Sequence, residues 1–114
     1  MSRKYHMNER KFLNLHSNLR AYIIAFVEDS ATYPASCEEY RNGGWIALRI
    51  ADCHDEIDLY FDLSTPRERE NAVHKAKTLA EVLTQFKDAI EIEVKAIEDR
   101  EALKQHARAA IAVH

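Results

Sequence analysis

The chain has 114 residues and a mass of 13.2 kDa, which suits one compact domain without disulfide or metal support. With 46% hydrophobic residues, 31% charged residues and only two glycines and two prolines, it is not collagen-like, low-complexity or disordered. The net charge of -3 is unevenly spread: residues 1–20 carry five basic residues and one acidic residue, and residues 28–63 carry nine acidic and two basic residues. We predict a single domain over residues 1–114 with a basic start and an acidic middle.

The first predicted element is a helix over residues 8–27, with Asn8 as its N-cap. Apolar residues recur there at spacings of three and four, which places them on one stripe of a helix. They are Phe12, Leu15, Leu19, Tyr22, Ile23, Phe26 and Val27. The alternative is a buried strand from Ala21 to Val27, because that stretch is dense in β-branched and aromatic residues. Helical spacing over four turns favours the helix.

Residues 36–63 change to a period of two, which is typical of strands. Asn42-Gly43 predicts a tight hairpin turn between a strand ending at Arg41 and one beginning near Trp45. A third strand follows, with apolar residues from Ile57 to Leu63. The pattern predicts a three-stranded antiparallel meander.

The register of the last two predicted strands follows from placing their apolar residues on one face. In that register Arg49 lies opposite Asp58, and residues 52–55 form the loop. The expected apolar pairs are Ile50 with Ile57, Leu48 with Leu59, and Ile46 with Phe61.

Thr65-Pro66-Arg67-Glu68 has the form of a capping box with proline at the first helical position, so it predicts a helix start. An apolar stripe follows, which we expect to cover the sheet: Ala72, Val73, Ala76, Leu79, Ala80, Leu83, Phe86 and Ile90. Residues 89–96 also alternate like a strand, so an extra strand is the alternative to one long helix, or to two helices broken near residues 97–99. The predicted fold is α+β: an N-terminal helix, the meander, and one or two C-terminal helices packed on the sheet.

The outer face of the meander is the predicted partner-binding surface. It combines aromatic, arginine and acidic side chains, and Trp, Tyr and Arg are enriched at binding hot spots. The residues are Tyr40, Trp45, Arg49, Asp58, Tyr60 and Asp62. The alternative is that a helix covers this face as a second core layer.

A nucleic-acid surface is the second functional hypothesis, carried by the basic residues Arg3, Lys4, Arg10 and Lys11. Arg10 and Lys11 lie about 100° apart on a helix, and the acidic middle repels nucleic acid, so direct binding is disfavoured.

The third hypothesis is an enzyme or metal site at Cys53-His54-Asp55. Neighbouring side chains in a loop rarely converge on one point, so we interpret this stretch as a solvated turn and predict no metal and no cofactor.

Two cysteines without CxxC spacing predict a reduced, cytoplasmic protein. The longest apolar run has seven residues, which is too short for a membrane span of roughly 20. The alanine-rich C-terminal end, from Ala102 to Ile111, favours a homodimer. The leading hypothesis is therefore a small non-catalytic protein-binding module, an adaptor, regulator or inhibitor, whose acidic segment contacts a partner with a basic surface.

Overall fold

The computed structural model describes residues 4–16, 20–32 and 46–113. The described part of the chain forms four strands, a short 3₁₀ turn at Ser30–Thr32 and one helix. The bounds are β1 Tyr5–Phe12, β2 Tyr22–Glu28, β3 Ile46–Asp52, β4 Asp55–Leu59 and α1 Pro66–Val113. The strands form one antiparallel sheet in the order β1-β2-β3-β4. The class is α+β, as predicted.

The predicted N-terminal helix is wrong, because its residues form β1, β2 and their connection. The alternative strand from Ala21 to Val27 is the better description, since β2 covers Tyr22–Glu28. β2 carries apolar residues on both faces of the sheet, and consecutive apolar residues such as Ile23 and Ile24 imitate helical spacing. Leu15 belongs to the supposed stripe, yet it follows β1 and is 91% exposed. The high β-branched and aromatic content was the more informative signal.

The meander has four strands and not the predicted three. The expected first strand, ending at Arg41, and the Asn42-Gly43 turn lie outside the described residues. The strand that pairs with β3 is β2, from the segment predicted to be helical.

The predicted β3–β4 register is confirmed. Leu48 pairs with Leu59, Ile50 pairs with Ile57, and Arg49 lies opposite Asp58. β4 ends at Leu59, so the expected pair of Ile46 with Phe61 is not part of the ladder. Apolar alternation on two neighbouring strands is enough to set their register, because a one-residue slip moves every apolar side chain to the other face.

The connection from β3 to β4 is a two-residue turn at Cys53 and His54, because Asp52 and Asp55 already pair across it. Cys53 adopts a φ of 57°, a region that costs a residue with a Cβ about 1–2 kcal/mol. The favoured two-residue hairpin turns require positive φ at their first central residue, which explains the conformation.

Cys53→Gly is therefore expected to raise the free energy of unfolding by about 0.5–1 kcal/mol, since glycine adopts this φ without steric cost. Cys53→Ala is the matched control, because it removes the thiol and keeps the Cβ, so its stability should stay near the parent value. Urea unfolding of the three proteins measures the difference. Equal stability of the Gly and Ala variants would contradict the turn geometry.

α1 begins at the predicted capping motif. The Glu68 backbone N–H donates to Thr65 Oγ1 at 3.1 Å, and the Arg69 N–H donates to the Thr65 carbonyl at 2.9 Å. The side chain of Arg69 also reaches back, its Nε donating to the Leu63 carbonyl at 2.8 Å. The Glu68 bond satisfies one of the backbone donors that a helix start leaves without an intrahelical partner, and the Arg69 N–H makes the first bond of the helix itself.

The helix runs for 48 residues without a break. The alternative strand at residues 89–96 is therefore wrong, as is a break near residues 97–99. No glycine or proline follows Pro66, so no residue in this stretch opposes continuation of the helix. At 1.5 Å per residue α1 is about 72 Å long.

The apolar stripe of α1 is mostly exposed in the single chain, although Ala72 within it is buried, and the expected packing of the helix on the sheet stays a prediction. Phe86 is 62% exposed and Leu83 is 55% exposed. The buried apolar side chains of the described residues are three alanines, Ala21, Ala51 and Ala72, and none of the large side chains there is fully buried. Large apolar side chains are thus left available for contacts with another molecule.

The chain divides into two compact units, Met1–Val73 and His74–His114. The first contains the sheet and the first two turns of α1, and the second contains the rest of α1. The boundary falls inside an unbroken helix, so the prediction of a single domain stays a prediction.

No helix in the described part of the chain has an apolar stretch long enough to cross a bilayer.

Candidate functional site: a groove on the arginine face of the sheet

Cross-strand pairing sorts the sheet into two faces. Arg10 pairs with Ile24, Ile24 with Arg49, and Arg49 with Asp58, so these four side chains form one row across all four strands. We call this side the arginine face. Arg49 therefore points away from the Ile and Leu side chains of its own strand, as its alternation predicted.

The arginine face contains an open groove of about 540 Å³. Its residues come from all four strands and from the segment after β4; they are Arg10, Ile24, Phe26, Ile46, Ala47, Leu48, Arg49, Asp58, Leu59, Tyr60 and Phe61. The Tyr5 ring packs edge to face against the Phe26 ring, with ring centroids 6.0 Å apart. Tyr60, directly after β4, is 76% exposed. The groove thus combines apolar walls with an arginine, a carboxylate and an exposed tyrosine ring.

An ion pair lies at the edge of this groove. Arg49 Nε donates to Asp58 Oδ1 at 2.7 Å, and Arg49 Nη2 donates to Asp58 Oδ2 at 3.2 Å. The hydrogen bond from Arg49 lowers the pKa of Asp58 below its ordinary value, and the bond to Asp58 and the charges of Asp58 and Glu56 raise the pKa of Arg49. Both groups are therefore fully charged near neutral pH. The two-point geometry fixes the plane of the guanidinium.

The turn end of the β3–β4 hairpin is acidic on both faces: Asp52 and Asp55 lie on the face opposite Arg49, and Glu56 lies on the arginine face. Asp52 and Asp55 lie directly opposite one another across the ladder, an arrangement that destabilises a sheet because the charges are alike. Glu56 follows on the arginine face, where its carboxylate accepts a hydrogen bond from the Tyr22 hydroxyl at 3.1 Å. A cationic group bound here would relieve the repulsion between Asp52 and Asp55.

The structure brings together three of the six predicted partner-binding residues, because Arg49, Asp58 and Tyr60 all line the groove. Asp62 does not line it: its Oδ1 accepts the Ser64 N–H at 2.9 Å, which shapes the turn before α1. Hydrogen bonds from the Ser64 side chain and backbone lower the pKa of Asp62. Tyr40 and Trp45 lie outside the described residues.

The basic N-terminal residues do not form one surface. Arg10 and Lys11 are neighbours on β1, so Arg10 points to the arginine face and Lys11 to the opposite one. Lys4 precedes β1, and Arg3 lies outside the described residues. Among the described basic residues Lys4, Arg10 and Lys11, the structure therefore gives the nucleic-acid hypothesis no continuous row of cations.

The Cys53-His54-Asp55 stretch is an exposed turn and strand start, as the solvated-turn interpretation expected. Within residues 4–16, 20–32 and 46–113, no three His, Cys, Asp or Glu side chains are arranged to hold a metal ion.

The sequence analysis missed the groove residues supplied by the first two strands, namely Arg10, Ile24 and Phe26. They were assigned to a helix, on which they cannot line up with Arg49. The available signal was the combination of Ile24 and Phe26 with two further β-branched neighbours in β2. Their position beside β3 depends on a long-range pairing that no local pattern encodes.

Comparison with known proteins adds no resemblance: no family model, no curated protein and no solved structure matches this chain.

Proposed function

We propose that this protein is a small non-catalytic binding module that docks a partner protein on the arginine face. The observation that carries the proposal is the open groove itself, with its exposed Tyr60 beside the Arg49–Asp58 ion pair. Aromatic and arginine side chains around an apolar depression are the composition that binding hot spots favour. A role as adaptor, regulator or inhibitor, acting as a homodimer in the cytoplasm, agrees with this surface.

The partner is expected to present a basic surface. Asp58 lines the groove and Glu56 is exposed on the same face of the sheet, so the acidic groups of the arginine face complement a cationic partner. Complementary charge raises the association rate and weakens with added salt.

Quantitative affinity capture with the tagged full-length chain tests this function. Arg49→Ala combined with Tyr60→Ala should reduce capture of specific partners at least about tenfold, because two hot-spot side chains are removed from the groove. Glu9→Ala combined with Lys11→Ala is the matched control: both residues are exposed and lie on the opposite face of the sheet, so capture should persist. Captured proteins should be released as salt increases. Equal capture by the groove variant and the parent protein would refute the proposed face.

A further inference from the structure

The side of α1 described as exposed above carries a regular apolar row. Its members recur at spacings of three and four residues, and at 100° per residue they fall within an arc of about 80°. They are Ala76, Leu79, Leu83, Phe86, Ile90 and Val94. We call this row the helix seam; it extends about 27 Å along the helix.

We propose that the helix seam binds the same seam of a second copy of this chain in antiparallel orientation, with Leu83 of each copy against Phe86 of the other. The inference deepens the proposed function, since it names how the dimer forms, and it does not involve the groove. The second copy is favoured by two independent features of the seam, the sizes of its side chains and the charges beside it.

Side-chain size favours the antiparallel pair. Reversing the seam about the midpoint between Thr84 and Gln85 places Leu79 against Ile90 and brings Ala76 within one residue, about 1.5 Å along the helix, of Val94. The layers then combine Leu with Phe, Leu with Ile and Ala with Val, so neither the smallest nor the largest side chain meets its own copy. A parallel, in-register pair would instead place Ala76 against Ala76, leaving a gap, and Phe86 against Phe86.

Charge favours the same orientation. Lys75 and Glu93 lie at the same angle on the helix, to one side of the seam, so the antiparallel pair brings Lys75 of one copy within about one residue of Glu93 of the other, twice by symmetry. In a parallel, in-register pair Lys75 and Glu93 would lie about 27 Å apart along the helix, so this ion pair would not form. Glu93 also lies 3.6 Å from Arg100 of its own chain.

The opposite side of α1 supplies a matched control. Ile92 lies about 160° from the middle of the seam, is 72% exposed, and has charged neighbours such as Asp88 on that side. A substitution at Ile92 changes the same helix by the same chemistry without touching the seam.

Analytical ultracentrifugation of the full chain is the first test, since the dimer has about twice the 13.2 kDa mass of the chain. Leu83→Glu should raise the dimer dissociation constant at least about 100-fold, because it places an unpaired charge in the contact. Ile92→Glu should leave the dissociation constant unchanged. A parent chain that is monomeric at every concentration, or equal effects of the two variants, would overturn the proposal.

A charge exchange tests the orientation without disturbing the apolar contact. Glu93→Lys alone should weaken the dimer about fivefold, and Glu93→Lys combined with Lys75→Glu should restore it. A double variant that binds no better than the single one contradicts the antiparallel pairing.

Disulfide trapping provides a second measure of orientation, in a Cys37→Ser, Cys53→Ser background. An Ala76→Cys chain mixed with a Val94→Cys chain should form the mixed disulfide dimer. Ala76→Cys alone should not link to itself, because its two copies would lie about 26 Å apart and a disulfide needs Cα atoms within about 7 Å. Efficient self-linking at Ala76→Cys would establish a parallel pair and refute the inference.

The same proteins separate this inference from the proposed function. A parent chain that captures its partner but stays monomeric would overturn the helix contact alone. Loss of capture in the Arg49→Ala, Tyr60→Ala variant with the dimer intact is the result expected when both proposals hold.

Discussion

Ile92→Pro is expected to remove about 3 kcal/mol of helix stability and to divide α1 near its middle. Proline at this position deletes the backbone bond from residue 92 to the carbonyl of Asp88 and places its ring against that carbonyl. Because Ile92 is 72% exposed, the loss of side-chain contacts adds little to this cost. Far-UV circular dichroism should show a clear decrease in helical signal, and hydrogen exchange should show reduced protection around residues 88–96.

Ile92→Ala is the control that distinguishes a helix from a strand at this place. If residues 89–96 are helical, the Ile92→Ala substitution keeps or raises the helical circular dichroism signal, since alanine is the better helix former. In a strand, alanine would weaken the segment relative to a β-branched residue. Reduced protection of residues 89–96 in Ile92→Ala would therefore contradict the continuous helix.

Ala51→Leu is expected to lower the free energy of unfolding by about 1–3 kcal/mol. Ala51 lies on β3 between Tyr22 and Glu56 on the arginine face, and its exposure is only 4%. The Tyr22 hydroxyl reaches across to Glu56 at 3.1 Å, two strands away, so the tyrosine side chain passes over the small alanine. A leucine there would displace the ring and break the hydrogen bond. Strand propensity alone would predict no loss, since leucine is at least as well accepted in strands as alanine.

Ala47→Leu is the matched control, because Ala47 lies four residues earlier on the same strand and face but lines the open groove. Its free energy of unfolding should stay within about 0.5 kcal/mol of the parent. Urea unfolding of the two variants measures the difference between them. Equal effects at the two positions would show that the Tyr22 side chain does not occupy the space above Ala51.

The features predicted well from the sequence are those whose causes are local. The helix start at Thr65-Pro66 depends on bonds within four residues, and the β3–β4 register depends on two strands joined by a tight turn. The predicted register placed Arg49 opposite Asp58, and in the structure these two side chains form an ion pair. The helical identity of residues 89–96 stood as one of two alternatives, because Ile90, Ile92 and Val94 alternate with charged residues as they would in a strand.

The sequence by itself determined the α+β class, the β3–β4 hairpin, the start of α1 and the side of β3 on which Arg49 lies, since turn chemistry, capping and alternation act over a few residues. Only the tertiary structure decided that the first 28 residues supply two strands. β2 is specified by its pairing with β3, and β1 by its pairing with β2, while their own apolar pattern fits a helix as well. The same long-range pairing decided that Arg10, Ile24 and Phe26 join Arg49 in one groove, because residues far apart in sequence become neighbours only when the sheet has formed.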